Sequence, residues 1–172
     1  MVKIMNSKKF LLLVSVSFCL FIFNQTAFSQ TNTKLKGELV GIWHASPSVG
    51  SGMNDLYRFF ADGKFVFEYN QMIGAKRTIS FSGKWRIQNQ KLILTITKET
   101  VIVGGKKVKS EGGSLADGYE IEGGKEITRT LKPAKTETKI LGKLQQGELT
   151  KFISIGKKKY WRLSGNPNEY AN

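Results

Sequence analysis

The stretch ISFSGKWRI, residues 79–87, alternates apolar and polar side chains with a period of two. The apolar positions all fall on one face of an extended chain: Ile79, Phe81, Trp85 and Ile87. Because successive side chains of a β-strand point to opposite faces, this pattern predicts a strand with one buried and one solvated face. Antiparallel sheets commonly divide their two faces in this way, with one face on a core.

The segment before this strand repeats the pattern and contains a turn signal. Phe65, Phe67 and Tyr69 alternate with other residues, and Asp62-Gly63 lies just before them. Asp-Gly between alternating runs favours a tight hairpin, because glycine adopts a positive φ without a steric penalty. We therefore expect a second antiparallel strand beside the first.

The rest of the chain continues in short strands separated by turn residues. Five further strands are predicted, over residues 91–98, 126–131, 138–144, 149–155 and 158–163. Short strands with brief turns indicate an all-β antiparallel barrel or sandwich rather than βαβ units.

Three segments depart from this strand pattern. Residues 30–38 are predicted to be an N-terminal lead-in with a short helical turn. Residues 104–118 contain five glycines and predict a long mobile loop or an irregular hairpin, whose role the sequence leaves open. Residues 164–172 are polar and predict a flexible tail.

Four short motifs follow one another along the first half of the chain: Leu-Val-Gly-Ile-Trp at 39–43, Tyr-Arg-Phe-Phe-Ala-Asp-Gly at 57–63, Gly-Lys-Trp at 83–85 and Lys-Leu-Ile-Leu at 91–94. This order resembles the bacterial lipocalin-like domains of the calycin group. Those domains typically have Leu-Val-Gly-x-Trp, an aromatic strand ending in Asp-Gly, then Gly-x-Trp and a leucine-rich strand. The resemblance covers residues 39–97.

The resemblance implies an antiparallel up-and-down β-barrel of about eight strands over residues 39–163. The tryptophan of the first motif, Trp43, would close one end of that barrel. A basic side chain of the last strand, Arg162, would cover it in a cation–π contact. The lysine-rich strands and the 104–118 segment of this chain have no counterpart in the pattern.

The aromatic faces and the motif order together predict a small apolar or amphipathic ligand inside the barrel. An eight-stranded barrel has an interior that side chains fill or that holds one small ligand. The candidate ligand-binding residues are the inward-facing aromatic ones: Phe65, Phe67, Tyr69, Phe81 and Trp85.

The first 29 residues have the layout of a secretory signal peptide. Three lysines precede an apolar run over residues 10–23, and Ala27-Phe28-Ser29 has small residues at the positions that signal peptidase requires. The run is shorter than the ~20 residues of a membrane-spanning helix. The sequence therefore predicts an exported protein, periplasmic or secreted, with no transmembrane segment after cleavage.

The chain is strongly basic, with 27 Lys and Arg residues against 13 Asp and Glu residues and a formal charge of +14. An excess of positive charge attracts polyanions. An exported protein meets anionic envelope components rather than nucleic acid, which is not an expected partner. The alternative function is therefore an envelope interaction module, whose basic surface (residues 106–109 and 157–159) binds anionic polymers or a protein partner. The lysines could equally serve solubility and protect strand edges.

Residues suited to catalysis or metal binding are scarce in this sequence. His44 is the only histidine and is expected on the solvent face of its strand, opposite Trp43. Cys19 is the only cysteine and lies in the predicted signal peptide, where the bulky Phe18 before it disfavours lipoprotein anchoring. No cluster has metal-ligand spacing, and no nucleophile–base pair is evident. We therefore expect a non-enzymatic protein with no catalytic residues, metal or cofactor.

Overall fold

The computed structural model describes residues 32–46, 54–111 and 115–169. Within these ranges a helix, α1 (32–39), precedes nine strands of one antiparallel sheet. The predicted signal peptide, residues 1–29, lies outside the described residues. The strands are β1 Gly41–His44, β2 Leu56–Phe59, β3 Lys64–Glu68, β4 Thr78–Gln88, β5 Lys91–Lys109, β6 Tyr119–Ile140, β7 Gln145–Gln146, β8 Lys151–Ile155 and β9 Lys158–Ser164.

The strand order across the sheet is β6-β5-β4-β3-β2-β1-β9-β8-β7. The prediction of an all-β antiparallel fold is confirmed. The prediction of a closed barrel of about eight strands is wrong, because the sheet has nine strands and is not closed.

The reason for the open sheet lies at its two edge strands. The short strand β7 pairs with the start of β8, where Gln145 lies opposite Phe152. It therefore occupies part of the edge of β8 along which β6 would have to pair to close the sheet. The end of β6 reaches β8 only through an isolated bridge between Leu141 and Ile155. One backbone hydrogen bond lies on each side of this bridge, from Gly156 to Ile140 and from Gly142 to Ser154.

One apolar cluster fills the concave side of the curved sheet. Its buried members come from α1, from β1 to β5, and from β8, β9 and the residue after β6: Leu39, Trp43, Tyr57, Phe59, Phe65, Phe67, Trp85, Leu92, Leu94, Ile96, Leu141, Ile153, Ile155 and Tyr160. The predicted alternation is present, since Trp85 is buried between the exposed Lys84 and Arg86. Burial of apolar side chains on this face is the main force that curves the sheet on itself.

Strands β1 and β2 differ from the rest because both of their faces are buried. His44 is 1% exposed, and its Nδ1 lies 2.7 Å from the carbonyl oxygen of Ser46. The prediction of a solvent-exposed histidine is therefore wrong, because alternation assigns a residue to a face but does not say whether further chain covers that face.

The C-terminal segment packs against β2 where the sequence predicts a flexible tail. The guanidinium of Arg58, itself 7% exposed, donates to the carbonyl oxygens of Pro167 at 3.2 Å and Glu169 at 2.8 Å. The described part of the segment, up to residue 169, is thus tied to the convex side of the sheet.

Strands β5 and β6 extend beyond the rest of the sheet. The last pair between β4 and β5 is Thr78 with Val101, whereas β5 and β6 remain paired to Lys109 and Tyr119. This two-stranded extension, called the ribbon below, comprises residues 102–111 and 115–126. Of the two predictions for residues 104–118, the irregular hairpin is the one that the pairing supports, since residues 104–109 continue β5 and pair with β6. The predicted strand 126–131 and residues 138–140 of the predicted strand 138–144 are parts of the single strand β6.

The loop between β3 and β4, residues 69–77, is fastened to the ribbon. The carboxylate of Asp117 accepts hydrogen bonds from the backbone N–H groups of Gly74 at 3.1 Å and Ala75 at 3.2 Å. The guanidinium of Arg77 donates to the carbonyl oxygens of Gly104 and Ile102. The ribbon therefore holds this loop, called the mouth loop below, beside the concave face.

Candidate functional site

A cleft of about 470 Å³ opens on the concave side of the sheet. It lies between β2, β3 and β4 on one side and the end of β6 with the β8–β9 turn on the other. Its lining residues come from all of these elements: Asp55, Tyr57, Phe67, Tyr69, Phe81, Glu137, Lys139, Ile155, Gly156, Lys157, Lys158 and Tyr160. The cleft thus occupies the region where β6 and β8 meet through a single bridge.

The floor of the cleft is a set of packed aromatic rings. The centroid of Phe67 lies 4.5 Å from that of Tyr57, 4.7 Å from that of Phe81 and 4.8 Å from that of Tyr69. Tyr160 meets Tyr57 edge-on at 5.1 Å. Aromatic pairs at such distances are favourable beyond their buried area. The cleft therefore has a well-packed apolar floor.

The tyrosine hydroxyls add polar groups to this floor. Burial raises the pKa of Tyr57 well above its ordinary value, and the neighbouring Tyr160 raises it further. Burial also raises the pKa of Tyr160 and of Tyr69. All three side chains are consequently neutral phenols at physiological pH, able to donate or accept a hydrogen bond.

Charged side chains form the rim of the cleft. Lys158 Nζ lies 2.7 Å from Asp55 Oδ2, and Glu137 is bridged by Lys135 at 2.7 Å and Lys139 at 2.9 Å. Hydrogen bonding to Lys135 lowers the pKa of Glu137, and Lys139 adds to this effect. Both carboxylates are therefore already paired with lysines.

Three of the five predicted ligand-binding residues line the cleft. Phe67, Tyr69 and Phe81 contribute to its floor. Phe65 and Trp85 do not line it: Phe65 is 1% exposed in the core, and the Trp85 indole N–H donates to the Phe60 carbonyl at 3.1 Å. Period-two alternation identifies inward-facing residues, but it does not tell which of them packs in the core and which borders open space.

Trp43 and Arg162 lie together, away from the cleft. Trp43 is fully buried, and its indole N–H donates to the Leu39 carbonyl at 2.7 Å. The guanidinium carbon of Arg162 lies 5.8 Å from the centroid of the Trp43 ring, and its Nη2 donates to the Val40 carbonyl at 2.8 Å. This is the arrangement of a cation over an aromatic face.

Sequence reasoning missed several residues of the cleft. Tyr57 and Tyr160 are at inward positions of their strands, so the alternation held a usable signal for both. Asp55 precedes β2, and Glu137 lies in a strand whose side chains are mostly exposed. No local signal connects these two carboxylates, because they are distant in the sequence. Only the curvature of the sheet brings them to the same rim.

The two basic groups predicted from sequence are interspersed with acidic and aromatic residues. Lys106 lies opposite Glu122 in the ribbon, and Lys107 Nζ lies 3.9 Å from the ring centroid of Tyr119. Lys158 is paired with Asp55, as described above. Within the ribbon the acidic residues balance the lysines, so this extension is not a uniformly basic surface.

The described ranges contain no group of three or more His, Cys, Asp or Glu side chains that could bind a metal ion. In the same residues, no helix has the length and apolar character needed to cross a membrane.

Comparisons with protein-family models, with curated proteins and with solved structures found no match to this chain. The class that the fold itself defines is an all-β protein with one strongly curved antiparallel sheet and an aromatic cleft. The lipocalin-like resemblance remains a prediction based on the motifs at 39–43, 57–63, 83–85 and 91–94.

Proposed function

We propose that this protein is an exported, non-enzymatic, lipocalin-like protein that binds a small amphipathic molecule in the cleft. The observation that carries the proposal is the combination of an aromatic floor and a charged rim in one cavity of about 470 Å³. Binding sites for small molecules are typically concave, apolar cavities of about 300–1,000 Å³ with a few polar groups that orient the ligand. The cleft has both features.

The apolar part of such a ligand would lie on the floor formed by Phe67 and Phe81. These two rings are nearly parallel, with an interplanar angle of 22°. Covering such a surface removes apolar area from water, which is worth about 25 cal/mol for each Å². The phenol groups of Tyr57 and Tyr160 are available to a polar group of the ligand.

The test is titration of the protein with apolar and amphipathic ligands, followed by isothermal calorimetry and native mass spectrometry. The variant Phe81→Ala should weaken binding about tenfold or more, because it removes one of the aromatic rings that form the floor of the cleft. Phe152→Ala is the matched control, since this partly buried phenylalanine does not line the cleft. An absence of binding across fatty acids, sterols and alcohols would contradict the proposal, as would equal losses in both variants.

The alternative function, an envelope interaction module with a basic surface, stays a prediction. Charge-driven binding must weaken steeply between low and high salt. In the ribbon Lys106 lies opposite Glu122, and this arrangement does not support a basic binding surface at residues 106–109.

A further inference from the structure

The positive charges around the cleft differ in whether they have a partner. Lys139 and Lys158 each contact a carboxylate within 2.9 Å. For Lys76 and Lys157, by contrast, no carboxylate of the described residues lies within 4.0 Å of Nζ. The rim of the cleft therefore has one cation without a carboxylate partner, Lys157, and the mouth loop beside it has another, Lys76.

Lys76 is the more informative of the two, because its environment is only partly solvated. It belongs to the mouth loop, and its Nζ lies 3.2 Å from the centroid of the Tyr69 ring. Burial lowers the pKa of Lys76, and the repulsion from Lys158 acts in the same direction, against the attraction of Asp55. The aromatic face compensates part of the lost hydration, and a partly desolvated ammonium is stabilised further by an anionic partner.

Tyr69, which Lys76 covers, lines two cavities. One is the cleft, and the other is a cavity of about 370 Å³ that Lys76 borders together with Asn70, Ile102 and Glu126. The ring of Tyr69 lies 4.8 Å from Phe67 and 5.9 Å from Phe81, centroid to centroid. A short molecule can therefore contact the aromatic floor and the Lys76 ammonium at the same time.

On the basis of the proposed function, we propose that the ligand is an organic anion whose carboxylate or phosphate pairs with Lys76 above the Tyr69 ring, while its apolar part lies on Phe67 and Phe81. Asp55 and Glu137 are each already paired with another lysine, and Glu126, which borders the second cavity, has no carboxylate oxygen within 4.0 Å of Lys76 Nζ. Lys157, at the β8–β9 turn, also attracts an anionic ligand over a longer distance. The rim therefore selects against a cationic head group and favours an anionic one over a neutral one.

The experiment compares four ligands with the same twelve-carbon chain: dodecanoate, dodecyl phosphate, dodecanol and dodecylammonium. Each is titrated below its micelle concentration, or for dodecanol below its solubility limit, into the native protein and into Lys76→Met, which keeps an apolar stem against Tyr69. Lys84→Met is the matched control, because Lys84 is an exposed lysine of β4 outside the cleft. The affinities are measured by calorimetry.

We expect at least one of the two anions to bind the native protein about tenfold more tightly than dodecanol, since a charge-assisted pair is worth about one such factor. Lys76→Met should abolish this preference and leave the affinity for dodecanol unchanged, whereas Lys84→Met should alter neither. A preference for one anion over the other identifies the head group.

Equal affinities of the anions and dodecanol for the native protein would overturn the anionic inference and leave the proposed function intact. A preference that survives in Lys76→Met would overturn the assignment to Lys76. Failure of all four ligands to bind would contradict the proposed function itself. Circular dichroism of each variant shows whether the fold is retained.

Discussion

At the scale of single residues, the contact between Trp43 and Arg162 joins the first and the last strand of the chain, β1 and β9. The indole is held by the Leu39 carbonyl, and Arg162 binds the Val40 carbonyl across it. Residues of β1 and β9 are thereby tied together at the point where their pairing shifts in register, between Ile42 and Trp43. The Arg162 guanidinium thus makes a cation–π contact with Trp43 and donates a hydrogen bond to the Val40 carbonyl, which the pairing of β1 with β9 leaves free.

We predict that Arg162→Ala lowers the free energy of unfolding by about 2 kcal/mol, the sum expected for a partly buried cation–π contact and a lost backbone partner. Urea denaturation followed by tryptophan fluorescence measures this change. Arg86→Ala is the control: Arg86 is exposed on β4, so its loss should change stability by less than about 0.5 kcal/mol. Equal effects of the two substitutions would show that the Trp43 contact contributes nothing specific.

The buried tyrosines of the cleft predict a pH dependence of stability. Because the folded pKa of Tyr57 and Tyr160 is raised, both stay protonated in the folded state when the unfolded chain begins to ionise near pH 10. Their contribution to stability is fully present below about pH 10 and is lost as the pH rises above it, since the unfolded state then binds fewer protons.

We therefore expect the free energy of unfolding to fall between about pH 10 and 11.5, and to fall less in the double variant Tyr57→Phe/Tyr160→Phe. Urea denaturation across this range measures the slope. An identical slope in the double variant would refute the assignment.

At the scale of elements, Gly83 decides how β4 and β5 pack. A Cβ at this position would lie 1.9 Å from the carbonyl oxygen of Thr95, much closer than any real contact. The pairing of β4 with β5 shifts in register between Ser82 and Gly83. The missing side chain thus lets the two backbones approach at this irregularity, which explains why a glycine interrupts the apolar alternation of residues 79–87.

Two glycine substitutions should have opposite effects. Gly83→Ala is expected to lower the free energy of unfolding by about 1–3 kcal/mol or more, because backbone atoms must move to admit the methyl group. Gly37→Ala should raise it by about 0.5–1 kcal/mol, since Gly37 lies in α1 with no atom within 4 Å of the added Cβ. Thermal and urea denaturation measure both, and a neutral Gly83→Ala would contradict the close approach.

At the scale of the whole molecule, the ribbon acts on the cleft through the mouth loop. Asp117 and Arg77 form the hydrogen bonds between them, and Lys76 lies in the same loop. The ribbon contributes little to the apolar cluster, whose members in β5 end at Ile96. Its structural consequence is therefore the position of the mouth loop rather than the stability of the core.

We predict that replacing residues 104–124 by Asn-Gly leaves the protein folded but loosens residues 70–77. Hydrogen exchange of the backbone amides of Gly74 and Ala75 should become faster, because their acceptor on Asp117 is gone, while exchange in β3 and β4 should stay slow. Asp117→Ala is the smaller variant that removes the acceptor alone and should accelerate the same two amides. Unchanged exchange at Gly74 and Ala75 in both variants would show that the ribbon does not hold the loop.

The sequence by itself determined the type of secondary structure and the sidedness of the central strands. The alternation around Phe65, Phe67 and Trp85 is a local property, since neighbouring side chains of any strand point to opposite faces. The Asp62-Gly63 pair is likewise a local signal, and it places the turn between β2 and β3.

Only the tertiary structure decided what depends on residues far apart in the chain. The sheet stays open because β7 occupies the edge of β8. His44 is buried because further chain covers both faces of β1. Residues 104–109 form a strand because they pair with β6. The cleft also depends on the tertiary structure, because Asp55, Glu137 and Lys158 meet only through the curvature of the sheet. Local pattern specifies faces, whereas strand register and curvature arise from the summed packing of the whole core, and so no single segment encodes them.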